Sequence, residues 1–270
     1  MIDQPIGVFD SGIGGLTVVR ALLRRLPQED IVYFGDTARV PYGTKSRETI
    51  IQFSLQDVAF LQRFHIKVIV VACNTASSLA LPTLQRRVAL PIIGVIEPGS
   101  QAAVWATRNG RIGVIGTPST IASQAYEHAI NRLDRRIRVF GRECSLFVPL
   151  AEEGWTSDEV TEAVARRYLA PLIRRKVDTL ILGCTHYPLL KGVIARVMGR
   201  SVHLIDSAVQ TANEVANLLA VRHLAVSDRE TSQCQFYVSD EPQRVMRLAA
   251  RFLGRPVPWV ERVGELPAST

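Results

Sequence analysis

Along this chain, short apolar runs alternate with longer amphipathic stretches. The runs IGVF (6–9), IVYF (31–34), KVIVVA (67–72) and IIGVI (92–96) are almost unbroken rather than alternating. A strand covered on both faces reads this way, whereas a half-exposed strand alternates apolar and polar positions. Helical patterns lie between them, from Leu16 to Leu26 and from Ser46 to Phe64. The second half repeats the order. IGVI (112–115), IRVF (137–140), VDTLIL (177–182) and VHLI (202–205) are again strand-like, with helical segments from Thr120 to Leu133 and from Ser157 to Arg175. Equivalent positions are offset by 106 residues (Ile6 to Ile112) to 111 residues (Cys73 to Cys184). That period is far too long for a solenoid repeat and predicts two related α/β units.

The expected fold class is therefore α/β, with two similar three-layer domains, mainly parallel sheets and a ligand cleft between them. The expected division is 1–97 plus 208–270 for the first domain and 98–207 for the second. Glu97-Pro98-Gly99 is taken as the hinge, because Pro and Gly punctuate the chain there. A helix from Val209 to Leu219 and the strand CQFYVSD have no counterpart in the repeat and are expected to return to the first domain. The tail from Leu266 (LPAST) is expected to be disordered.

Ligands of parallel α/β sheets bind beyond the carboxyl ends of the strands. The residues there are Asp10-Ser11-Gly12, Gly35-Asp36, Pro41-Tyr42-Gly43 and Cys73-Asn74-Thr75 in the first half. In the second they are Gly116-Thr117-Pro118, Glu152-Glu153 and Cys184-Thr185-His186. DSGIGG (10–15) imitates a dinucleotide-binding turn, and Asp36 stands where a ribose-binding acid would. However, Thr17 occupies the third glycine position, and Asp10 would repel a pyrophosphate.

A lone cysteine is ordinarily a small buried hydrophobe, and Cys144 and Cys234 are read so. Cys73 and Cys184 differ, because both follow a strand, precede helix-starting residues and correspond under the repeat. A helix N-terminus lowers a thiol pKa, so both are expected to be activated. Two thiols facing one carbon from opposite sides suit inversion of a stereocentre: one removes a proton, the other delivers one to the opposite face. Asp10 could tune Cys73, and His186 could tune Cys184. Glu152 reads either as an acid/base partner or as a helix-start charge. His65, His128, His203 and His223 read as structural. None of Lys45, Lys67, Lys176 and Lys191 has a pyridoxal context, and no metal-ligand cluster is apparent, so no cofactor is expected. Acidification of the reacting C–H must then come from hydrogen bonds aimed at the developing negative charge. Helix N-termini and hydroxyl-rich loops suit a small anionic substrate.

Composition changes this picture little. Of 270 residues, 47% are hydrophobic, and the four cysteines lack CxxC spacing, which disfavours zinc and thioredoxin chemistry. The start MIDQPIGVFD is unlike a signal peptide, and no apolar run is long enough to span a bilayer. A cytoplasmic location with reduced thiols is expected. The net charge of +7 comes largely from arginine, in doublets scattered over separate helices. Contact with nucleic acid is conceivable on charge alone, but no recognition motif supports it.

FDSGIGG (9–15), PYG (41–43), ACNTAS (72–77), PLAEEG (149–154) and GCTHYPLL (183–190) together resemble the glutamate racemases, within the aspartate/glutamate racemase family, over residues 5 to 254. The resemblance implies cofactor-independent interconversion of L- and D-glutamate, supply of D-glutamate to bacterial peptidoglycan, and a homodimer. It implies that Cys73 takes the proton from D-glutamate and Cys184 from L-glutamate. It also implies substrate contacts at Asp10, Ser11, Tyr42, Gly43, Asn74, Thr75, Thr185 and His186, and Pro41, Thr117 and Thr120 are further candidate substrate contacts beside them. A neighbouring amino-acid or hydantoin racemase and a non-catalytic basic binding protein are the alternatives.

Overall fold

The computed structural model describes residues 2–227, 231–264 and 266. In chain order the first part runs β1 (Ile6–Asp10), α1 (Leu16–Arg25), β2 (Ile31–Gly35), α2 (Arg47–Gln62), β3 (Val68–Val71), α3 (Asn74–Leu79), α4 (Leu81–Arg87) and β4 (Ile92–Gly94). The middle part runs α5 (Ile96–Ala106), β5 (Arg111–Gly116), α6 (Pro118–Ala122), α7 (Ala125–Leu133), β6 (Arg138–Glu143), α8 (Phe147–Glu153), α9 (Glu159–Arg174), β7 (Thr179–Gly183), α10 (Lys191–Met198) and β8 (His203–Asp206). The chain then returns through α11 (Ser207–Val221), β9 (Cys234–Val238), α12 (Pro242–Leu253) and β10 (Glu261–Arg262).

The strands form two parallel sheets, ordered β10-β9-β2-β1-β3-β4 and β6-β5-β7-β8. Every residue of β1, β2, β3 and β7 is buried, as their unbroken apolar sequences require when helices cover both faces. The order 2-1-3-4 recurs as 6-5-7-8. In each sheet the first strand lies between the second and third, so consecutive connections leave it in opposite directions. That reversal opens a crevice at the carboxyl ends of β1 and β3, and again at those of β5 and β7.

Side chains of α1, α5, α7 and α11 form a shared core with both sheets, including Leu22, Ala103, Ile130 and Val215. The outer faces are covered separately, one by α2, α3 and α4 and the other by α8, α9 and α10. β9 pairs with β2, so the returning strand does join the first sheet. At the amino end of that sheet, Lys67 Nζ lies 2.5 Å from Glu29 Oε2, with both side chains almost fully buried. Lys67 also donates to the carbonyls of Ile2 and Leu224, and Glu29 accepts the Val226 N–H. One buried ion pair thus ties the chain start and the returning segment to β3.

Four local expectations are corrected. Pro98 and Gly99 lie in the first turn of α5, not in an open connector. Proline is tolerated there because the N–H groups of a first turn have no intrahelical acceptor. β4 stops at Gly94, so Val95 and Ile96 are not strand. The single helix expected from Thr120 to Leu133 is broken at Gln124, which takes φ 53°. There the Ser123 hydroxyl donates to the Thr120 carbonyl and accepts the Ala125 N–H, diverting the helical ladder. Glu152 sits in the last turn of α8, not at a helix start. The expected disordered tail lies, beyond Leu266, outside the described residues.

Candidate active site

A cavity of about 270 Å³ opens at the carboxyl ends of the strands, and both Cys73 and Cys184 line it. Each thiol follows the strand at its sheet's crevice, β3 in one case and β7 in the other. Both are nearly buried, at 6% and 7% exposure. Ser11, Pro41, Tyr42, Gly43, Asn74, Thr75, Thr117, Thr185, His186 and Glu152 share the lining. Thr120 and Asp10 lie just behind it. The hydroxyls of Thr75, Thr117 and Thr120 form a cluster at 2.9–3.3 Å that joins α3 to the start of α6. The Asn74 amide donates to Tyr126 Oη at 2.8 Å, so it is anchored on α7.

The two thiols have different surroundings. Cys73 Sγ is 3.3 Å from Ser11 Oγ. Burial, followed by the nearby Asp10 carboxylate, pushes its thiol up to about 12, against the opposing hydrogen bonds from Ser11 and the Ala76 N–H. The expected activation by a helix N-terminus therefore loses to desolvation at Cys73: α3 is only six residues long, and the sulfur is out of water. Asp10 is itself raised by burial, against the charge of His186 and N–H groups of its own turn. Its influence on Cys73 is thus to favour the thiol.

Cys184 is followed by a 3₁₀ turn (Tyr187–Leu190), not directly by an α-helix. Its Sγ lies 3.9 Å from His186 Nδ1, and His186 Nε2 lies 3.0 Å from Glu152 Oε1. Burial works against the imidazolium, but the Cys184 sulfur and Glu152 override it and raise His186 to about 10. Glu152 is lowered, first by its hydrogen bond from His186, with burial opposing and Arg244 assisting. The His186 ring also packs edge-on against Phe252 of α12 at 5.2 Å. Cys73 therefore stands beside a carboxylate and a hydroxyl, and Cys184 beside an imidazole whose pKa is raised.

The glycines of DSGIGG serve close packing. A Cβ on Gly14 would meet Thr185 Oγ1 at 2.2 Å and His186 Nδ1 at 2.5 Å. Thr17, which fills the third glycine position of the imitated motif, donates to the Thr185 carbonyl at 2.9 Å. This turn is the seat of the Cys184 loop. His65, His128, His203 and His223 are exposed and do not line the cavity. Among the described residues, no group of three or more His, Cys, Asp and Glu side chains could hold a metal ion.

Sequence reasoning missed the wall supplied by α12. Arg244, Val245 and Leu248 line the cavity. Arg244 Nη2 donates to Glu152 Oε2 at 3.1 Å, and Arg251 Nη1 donates to the Glu152 carbonyl at 2.6 Å. The signal was present: Val245, Leu248, Ala249, Phe252 and Leu253 recur at helical spacing.

Among described residues, no helix is long and apolar enough to cross a membrane. The Asp/Glu/Hydantoin racemase family pattern matches residues 6–215. A glutamate racemase of Geobacter metallireducens is 54% identical over 251 residues, covering 93% of each chain. The crystal structure of a Bacillus anthracis glutamate racemase superposes with a TM-score of 0.94 at 39% identity, over 97% of this chain and 98% of that one. A Francisella tularensis glutamate racemase, solved in complex with D-glutamate, gives 0.91 at 41% identity over the same shares. With two thiols at equivalent strand ends of a repeated fold, and relatives this similar over nearly its full length, the chain belongs to the glutamate racemase family.

Proposed function

We propose that this protein interconverts L- and D-glutamate without a cofactor, using Cys73 and Cys184 as a two-base pair. The observation that carries the reading is that both thiols line one cavity, each at the crevice of its own sheet. From L-glutamate, the Cys184 thiolate takes the α-proton and the Cys73 thiol delivers its own proton to the opposite face. From D-glutamate the roles exchange. Burial and Asp10, which favour the Cys73 thiol, prepare it as the acid of the L-to-D direction. His186 offers a charged N–H to the Cys184 sulfur, held by Glu152 and Arg244 behind it. Hydroxyls and N–H groups of Ser11, Asn74, Thr75, Thr117 and Thr185 supply donors for the substrate carboxylates and the enolate charge. We take the two sheets as two domains, 1–97 with 208–270 and 98–207. A cytoplasmic homodimer feeding D-glutamate to peptidoglycan completes the reading.

Incubation with L-glutamate in D2O tests it, with α-deuteration and optical rotation followed together. Loss of rotation with deuterium incorporation is expected. Exchange of aspartate with no exchange of glutamate would instead select a neighbouring racemase. Salt-sensitive retention on DNA without any exchange would select a binding role.

His186→Asn is expected to lower kcat/KM about 100-fold, and Glu152→Gln about tenfold, because the second acts only through the first. Enantiomers have equal free energies, so kcat/KM must fall equally in both directions. Only kcat and KM individually can split. Steady-state kinetics from both enantiomers measure this, and a His186→Asn variant within about threefold of the parent removes His186 from the mechanism.

A further inference from the structure

Behind the Pro41–Gly43 wall of the cavity, Tyr42 Oη lies 2.5 Å from Asp36 Oδ2 and 2.9 Å from Asp57 Oδ2. All three residues are buried, and both aspartates have no solvent exposure. A phenol carries one proton and can donate to only one of them. Were both carboxyls ionised, one contact would set lone pair against lone pair in a dry interior. The charges would not balance either. The cation joined to them is Arg39, whose Nε lies 2.6 Å from Asp36 Oδ2 and whose Nη2 lies 2.9 Å from Asp57 Oδ1. Its remaining Nη1 is bonded to Gln56. One guanidinium faces two carboxyls, so a single extra proton repairs both deficits.

That proton belongs on Asp57. Asp36 already accepts from Arg39 and Tyr42, and its Oδ1 accepts from Ser239 Oγ at 2.9 Å. Asp57 Oδ2 meets only the phenol. Burial and the neighbouring Asp36 charge push the Asp57 carboxyl well above its ordinary range, with Arg39 and Tyr42 opposing and Asp10 adding a little.

We propose that Asp57 is a neutral carboxylic acid and a positioning residue: it donates to Tyr42, Tyr42 donates to Asp36, and this chain fixes the Pro41–Gly43 wall of the glutamate site. The Tyr42 hydroxyl is thereby committed behind the wall and does not serve as a substrate ligand. On its other side the wall is held by Ser119, which donates to the Gly43 carbonyl at 2.7 Å. A Cβ on Gly43 would lie 3.0 Å from the Thr117 side chain. The substrate term rests on the glutamate reading; the protonation state does not.

Infrared spectra and kinetics test the two parts. At about pH 8, where a free aspartate is fully ionised, the parent is expected to show a carboxylic-acid carbonyl band. It should shift in D2O and vanish in Asp57→Asn. The side-chain amide of the Asp57→Asn variant can donate to Tyr42 from the same place, so this variant is expected to keep KM for L-glutamate within about threefold of the parent. Asp57→Leu and Tyr42→Phe break the chain and are expected to raise KM about tenfold, with a smaller change in kcat. Absence of the acid band overturns the assignment, as does an Asp57→Asn variant as impaired as Asp57→Leu. If the parent turns over no glutamate, the infrared result alone still decides the state of Asp57.

Discussion

Cys73→Ala and Cys184→Ala are each expected to reduce racemisation by about four orders of magnitude, roughly 5 kcal/mol of barrier. The α-proton of glutamate is very weakly acidic, and inversion needs a base on one face and an acid on the other. Removing either thiol leaves one face without a proton carrier. The variants should fail in complementary ways. Cys73→Ala keeps Cys184 and can still exchange the α-proton of L-glutamate with D2O, returning deuterium to the same face. It leaves D-glutamate untouched. Cys184→Ala does the reverse. Chiral chromatography with mass detection separates exchange from inversion. Substantial inversion by either variant would mean that one residue serves both faces, and the two-base mechanism would fall.

Lys67→Met is expected to destabilise the fold by about 3–5 kcal/mol, because it strands the Glu29 carboxylate in the interior. Against a usual total of roughly 5–15 kcal/mol this is a large fraction. Two carbonyls, of Ile2 and Leu224, would also lose their donor. Glu29→Leu combined with Lys67→Met removes the stranded charge and should recover part of the loss. It cannot recover all, since the Val226 N–H then lacks its acceptor. Urea unfolding at constant m-value measures both variants. The folded fraction should keep its activity, because Lys67 and Cys73 lie at opposite ends of β3, about 20 Å apart at ~3.3 Å per residue. A single-variant loss below about 1 kcal/mol would show that the pair is no stronger than a surface contact.

Much of the cavity's lining was legible in the chain, because periodicity reports burial directly. Unbroken apolar runs marked the central strands, and their polar sequels marked the strand ends where ligands bind. The direction of the Cys73 perturbation was not legible. A helix-start position suggests a lowered thiol, but the outcome is set by how little water reaches the sulfur and by the Asp10 carboxylate next to it. Glu152 was placed among the strand-end groups; its hydrogen bond to His186 depends on α8 turning its last residues toward the Cys184 loop. Asp36 and Tyr42 were visible as strand-end residues, yet Asp57, in the middle of α2, gave no sign of joining them.

By itself the sequence determined the α/β class, the repeated order of elements and the matching positions of Cys73 and Cys184 in the two halves. These follow from local burial and from self-similarity, and both are written along the chain. The tertiary structure alone decided the strand order, which puts each thiol at a crevice, and the return of α12, which closes one wall of the cavity with residues some sixty positions beyond Cys184. It also set the burial and the neighbouring charges that move Cys73, His186 and Asp57 away from their ordinary ranges. Those are contacts between distant segments, and a proton's place depends on the water, charge and donors that folding gathers around it.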